Sequence, residues 1–152
     1  MRPVLLGLAA LLATACAYVP GKPGAYTDVD VFALGFLKGR WSGVGPDGAT
    51  FCELYDFPDA IILRSQRFDC AFTKPGDTST VRIEDGEIVS RWGEFAWSAT
   101  DVQPGFIQFS PIVAPGSFSW RRIDNDIVEV VQAWTNEAGK PQTATMTLKR
   151  VA

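Results

Sequence analysis

The 152-residue sequence contains no histidine, and that absence narrows its chemistry more than any motif it carries. Histidine is the only side chain that titrates unperturbed near neutrality, the commonest metal ligand and the usual proximal ligand of haem. Ser65, Ser90 and the other serines therefore have no imidazole to take their proton, and no G-x-S-x-G elbow presents one of them as a nucleophile. Glu53 and Glu84 are carboxylates of the kind a glycosidase pairs as acid and base, but nothing in the sequence brings them together. Asp124-Asn125-Asp126 offers hard oxygen ligands. Three adjacent residues cannot surround an ion, and an EF-hand needs a far longer loop, so the triplet reads as a hairpin turn. Arg64, Arg67, Arg82 and Arg91 would sit on neighbouring strands and could converge on a carboxylate or phosphate; solvent-facing charge is the simpler reading. No catalytic residue, metal site or cofactor is expected, and the protein is not expected to be an enzyme.

The three cysteines, Cys16, Cys52 and Cys70, carry the remaining reactive chemistry. Met1-Arg2 and the apolar run Val4–Ala13 are too short to cross a bilayer, where roughly 20 residues are needed, and have the form of a signal peptide over 1–15. Ala13-Thr14-Ala15-Cys16 fits two fates. Ordinary signal peptidase would cut after Ala15 and release a soluble periplasmic protein. The same residues resemble a bacterial lipobox with Ala13 in place of the usual leucine, which would make Cys16 the lipidated first residue. Two or more acyl chains anchor stably where one does not. Ala17 at the following position points, by that resemblance, to an outer-membrane lipoprotein facing the periplasm. Residues 16–26, with two prolines and two glycines before Ala25, read as a flexible tether. Removing Arg2 with the leader takes the formal charge from −3 to −4. No basic run is present, so no nucleic-acid partner is expected.

Cys52 and Cys70 are then an even pair in an oxidising compartment, which favours a disulfide. Strand geometry opposes it: a hairpin turning near Pro58-Asp59 places Cys52 opposite about residue 65. Two buried free thiols remain the alternative.

The elements that would hold these residues are short and strand-like. Thr27-Asp28-Val29-Asp30 caps a brief helical turn at the start of the domain, 27–152. Beyond Leu37, the segments 40–44, 50–57, 61–72, 80–84, 87–92, 95–102, 106–112, 118–123, 127–135 and 143–151 are apolar or β-branched. Pro46-Asp47-Gly48, Lys74-Pro75-Gly76-Asp77 and Asp85-Gly86 are among the turn signals that separate them. Short loops throughout imply an all-β, antiparallel up-and-down barrel of about 8–10 strands with a short N-terminal helix. The interior of a small barrel is either filled or holds one small ligand. Trp92, Trp97, Trp120 and Trp134, with Phe95, Phe106, Phe109 and Phe118, supply enough aromatic bulk for either outcome.

Gly39-x-Trp41 resembles the first-strand motif of the lipocalins and their calycin relatives. In that family the tryptophan closes the barrel base under an arginine from a late strand. The resemblance implies that Trp41 and Arg150 form a structural plug, with cation–π attraction as its physical basis. The run Phe36-Leu37-x-Gly39-x-Trp41, the strand Glu53-Leu54-Tyr55, the turn Ile83–Gly86 and the late segment Phe118–Asp124 resemble a small bacterial family of unknown function with lipocalin-like domains. Bacterial inhibitors of secreted metalloproteases resemble the chain in Gly39-x-Trp41, Cys52, Cys70 and Trp92. In those inhibitors the segment before the barrel does the inhibiting and the two cysteines are bridged. The resulting expectation is a non-enzymatic envelope lipoprotein that binds a small apolar ligand, with Trp92, Trp97, Phe106 and Trp120 as the pocket at the end away from Trp41. The alternative is a periplasmic or outer-membrane protease inhibitor acting by protein–protein contact.

Overall fold

The computed structural model describes residues 25–152. The expected leader, Cys16 and all of the tether before Ala25 lie outside the described residues. Ten strands form a closed antiparallel barrel: β1 (Gly39–Val44), β2 (Thr50–Asp59), β3 (Ile62–Phe68), β4 (Pro75–Glu84), β5 (Glu87–Trp92), β6 (Phe95–Gln103), β7 (Phe106–Val113), β8 (Gly116–Arg122), β9 (Ile127–Thr135) and β10 (Pro141–Val151). Each strand pairs with its sequence neighbour, and β1 pairs with β10 to close the circle. Closure removes the unpaired edges that an open sheet would expose. Successive side chains alternate across the wall. Leu63, Ile88, Ile107, Phe109, Val128 and Leu148 fall on the inner face and are essentially inaccessible.

One end of the barrel is sealed. The short helix α1 (Asp28–Phe32) starts at Thr27, whose backbone N–H donates to the Asp30 carboxylate at 2.7 Å, and a 3-10 turn (Ala33–Leu37) follows it directly. Val31, Leu34 and Leu37 from these turns pack with Trp41 in the core. Trp41 is fully buried, and its indole N–H donates to the Leu37 carbonyl at 2.6 Å. Arg150 lies opposite Trp41 in the β1–β10 register, with its guanidinium carbon 4.2 Å from the indole centroid. The guanidinium also donates to the carbonyls of Lys38 (2.8 Å) and Asn125 (2.8 and 2.9 Å). Gly39 is required beneath it: φ is +128°, and a Cβ there would sit 2.5 Å from an Arg150 nitrogen.

Three local expectations are corrected. The second strand does not turn at Pro58-Asp59. It runs to Asp59 through an irregularity between Asp56 and Asp59, so Cys52 pairs with Phe68 rather than residue 65. The third strand stops at Phe68 instead of reaching Phe72. The Asp69 carboxylate accepts the N–H groups of Thr73 and Lys74, both at 2.7 Å, and folds residues 69–74 into a loop. Phe72 adopts φ +56° within it. Pro75-Gly76-Asp77 opens β4 rather than forming a turn, because a proline at the first residue of a strand forfeits no interior hydrogen bond. The loop after Phe68 carries Cys70 back to Cys52, and the two are disulfide-bonded with Cα atoms 5.1 Å apart.

Candidate functional site

Away from the Trp41 floor, the barrel interior opens into a cavity of about 740 Å³. That volume lies in the range of small-molecule sites, about 300–1,000 Å³. Its mouth is bordered by the β1–β2 loop (residues 45–49), the start of β4 and Trp92 at the end of β5. The lining divides into two walls of different chemistry.

Strands β6 and β8 build the aromatic wall. Trp97 and Phe118 meet edge to face at 5.4 Å, as do Phe118 and Trp120 at 5.2 Å. Phe109, fully buried behind them, stacks on Phe118 at 4.8 Å and fixes its plane. The Trp97 indole N–H donates to the Gly116 carbonyl at 2.7 Å, which locks that ring as well. Such edge-to-face and offset contacts each add about 0.5–1.5 kcal/mol beyond area burial, so this wall is rigid before anything binds.

Strands β2 to β5 build the polar wall. Alternation along β2 turns Phe51, Glu53 and Tyr55 inward, and Ser65, Arg67, Ser79 and Ser90 come from the next three strands. Glu53 is held from two sides: the Tyr55 hydroxyl donates to it at 2.6 Å, and the Arg67 guanidinium pairs with it at 3.2 Å. The same guanidinium lies 4.5 Å from the centroid of the Phe51 ring. Burial, and then the Glu53 carboxylate beside it, hold the Tyr55 phenol well above the ordinary tyrosine range. Tyr55 therefore stays a hydrogen-bond donor at any physiological pH. Its ring meets Trp120 edge to face at 5.8 Å.

The residues picked out from sequence are distributed unevenly over this site. Trp97 and Trp120 lie in the aromatic wall and Trp92 at its rim, 46% exposed. Phe106 does not belong to the cavity. Ile107 and Phe109 take the inner face of β7, which turns Phe106 outward under the guanidinium of Arg121, 4.3 Å from its ring centroid. Trp134 pairs with Gly116 near the mouth without lining the cavity, and Phe95 packs between Trp92 and Trp97. Of the four arginines, Arg67 alone lines the cavity. Arg64 donates to Asp56, while Arg82 and Arg91 converge on Glu84. Glu53 and Glu84 are thus separated by the barrel wall, and the Asp124–Asp126 turn sits under Arg150. Tyr55 and the Glu53–Arg67 pairing were not singled out from sequence as parts of a site. The alternation Phe51, Glu53, Tyr55 was the available signal, and it becomes decisive only once the register of β2 is known.

No family model matches the chain, and no curated protein matches it significantly. Solved structures do resemble it. A protein of unknown function from the DUF3598 family of Nostoc punctiforme superposes with a TM-score of 0.52 at 17% identity, over 84% of this chain and 50% of that one. The chain thus spans half the length of the Nostoc protein. Rv2717c from M. tuberculosis has a TM-score of 0.48 at 20% identity, over 81% of this chain and 98% of its own. A third structure, EF1p2_mFAP2b bound to DFHBI, has a TM-score of 0.42 at 13% identity, over 78% of this chain and 97% of its own. At these identities the likeness to the Nostoc protein establishes a shared barrel fold and nothing about activity.

Proposed function

We propose that this protein is a non-enzymatic envelope barrel that holds one small, largely apolar molecule in the cavity above the Trp41 floor. The observation that carries the reading is the open cavity of about 740 Å³ with a rigid Trp97–Phe118–Trp120 wall. A barrel whose role was purely structural would gain stability by filling that space, since interiors pack to crystalline density. The aromatic wall is preformed, so little ordering free energy opposes binding. In the same reading Cys16 carries the lipid, and the tether leads to the sealed end. The backbone N–H of Tyr26 donates to the Gly86 carbonyl at 2.9 Å, at the same end as α1, so the described chain enters the barrel at its sealed end.

The test is saturable quenching of the intrinsic tryptophan fluorescence by a varied panel of apolar and aromatic compounds, with stoichiometry from titration calorimetry. One-to-one binding that weakens in Trp97→Ala supports the reading. No saturable binding across the panel refutes it. Incorporation of labelled palmitate into the wild type and not into Cys16→Ala tests the anchor separately.

A further inference from the structure

The two walls of the cavity define the chemical class of its occupant, and this inference rests on the binding function proposed above. We infer that the cavity takes a neutral, planar aromatic compound with hydrogen-bonding groups along one edge, and that Ser90 is a residue that contacts that edge.

Ser90 lines the cavity and, at 3% exposed, is one of two buried polar residues among the described residues. A hydroxyl on the inner face of the cavity can donate to, and accept from, whatever occupies it. Ser90 is also directly opposite Trp97 in the β5–β6 register. A flat ring lying against Trp97 therefore brings its edge to the Ser90 hydroxyl. Arg67 adds further donors on the same polar wall: one guanidinium nitrogen pairs with Glu53, and the side chain is 52% exposed.

A saturated acyl chain fits this cavity poorly. It would cover the Ser90 hydroxyl without pairing it, a loss on the order of tenfold in affinity. Its carboxylate would meet Asp47, Glu53 and Asp77 against the single cation Arg67. The same charge balance disfavours any anionic ligand. A neutral heteroaromatic uses both walls: dispersion and stacking on one, hydrogen bonds on the other.

The experiment compares two fluorescent probes on the full protein: lumichrome, a neutral three-ring heteroaromatic with carbonyl and N–H groups on one edge, and cis-parinaric acid, a long-chain carboxylate. Each is titrated into the wild type and into Ser90→Ala, with circular dichroism and a thermal melt confirming that the variant folds. The inference expects lumichrome to bind at least tenfold more tightly than cis-parinaric acid. It also expects Ser90→Ala to weaken lumichrome by roughly five- to tenfold while leaving cis-parinaric acid unchanged. Tighter binding of cis-parinaric acid, or lumichrome affinity indifferent to Ser90→Ala, overturns this inference and leaves the proposed binding function standing. If neither probe binds, the inference fails, and the wider panel then decides the proposed function separately.

Discussion

Replacing Arg150 should weaken the barrel without touching its cavity. The guanidinium bridges the first and last strands over Trp41 at 4.2 Å and ties in the Lys38 and Asn125 carbonyls. At a partly exposed position the cation–π contact contributes about 1 kcal/mol. The charge-assisted hydrogen bonds contribute about 1 kcal/mol for each of the two carbonyls after discounting for a side chain that is 32% exposed. The ion pair with Asp126, itself 75% exposed, adds little. Arg150→Ala should therefore lose about 3 kcal/mol, a large share of the roughly 5–15 kcal/mol that holds a typical domain folded. Arg150→Lys keeps a cation above the indole but cannot span both carbonyls, and should lose about half as much. Urea denaturation followed by tryptophan fluorescence measures both, and the melting temperature of Arg150→Ala should fall by roughly 10 °C. Probe affinity at the cavity should stay at the wild-type value, because the floor and the mouth are at opposite ends of the barrel. If Arg150→Ala unfolds within about 0.5 kcal/mol of the wild type, the scale of an ordinary surface change, the plug is ornamental and the reasoning is wrong.

Other outcomes follow from the same geometry. Cys52→Ala/Cys70→Ala, or reduction of the wild type, should lower stability by about 3 kcal/mol, the loop-closure value for a separation of 18 residues; equal urea midpoints for oxidised and reduced protein would contradict it. Glu84 is held at about 2, below its ordinary 4.5, by hydrogen bonds from Arg91 and then Arg82 that outweigh its desolvation. A depressed carboxylate contributes stability that is fully present above pH 4.5 and is lost as the pH falls through about 2. Glu84→Gln should thus flatten the acid limb of the stability profile in that window, and an unchanged limb in an acid titration monitored by circular dichroism would count against the pairing. Phe106→Ala should reduce stability with no change in probe affinity, whereas Phe118→Ala should weaken the probe; calorimetry of the two variants separates the outer face of the wall from the inner.

Much of the architecture was legible in the amino-acid order because it depends on local physics. Turn signals such as Asp85-Gly86 and Asp124-Asn125-Asp126 punctuate runs of alternating apolar residues, and that alternation specifies strands whose edges a barrel must close. The residue types of the floor were legible too, since Gly39 tolerates a backbone and an approach that no other residue does. The cavity was less so. Large aromatics are equally consistent with a filled core, and Phe106 resembles Trp120 in every property that a sequence displays. Which of them faces inward depends on register, and a shift of one residue moves a side chain to the opposite face.

Composition alone excluded histidine chemistry, and turn spacing with apolar alternation determined an antiparallel barrel entered through the Gly39-x-Trp41 strand. The disulfide was decided only by tertiary structure: it depends on β2 running past Pro58 and on the Asp69 loop returning Cys70 to Cys52. So was the two-walled cavity, because Ser90 comes to face Trp97, and Arg67 comes to meet Glu53, through pairing between strands. Periodicity along one strand states which residues share a face; only the closed sheet states what stands across from them.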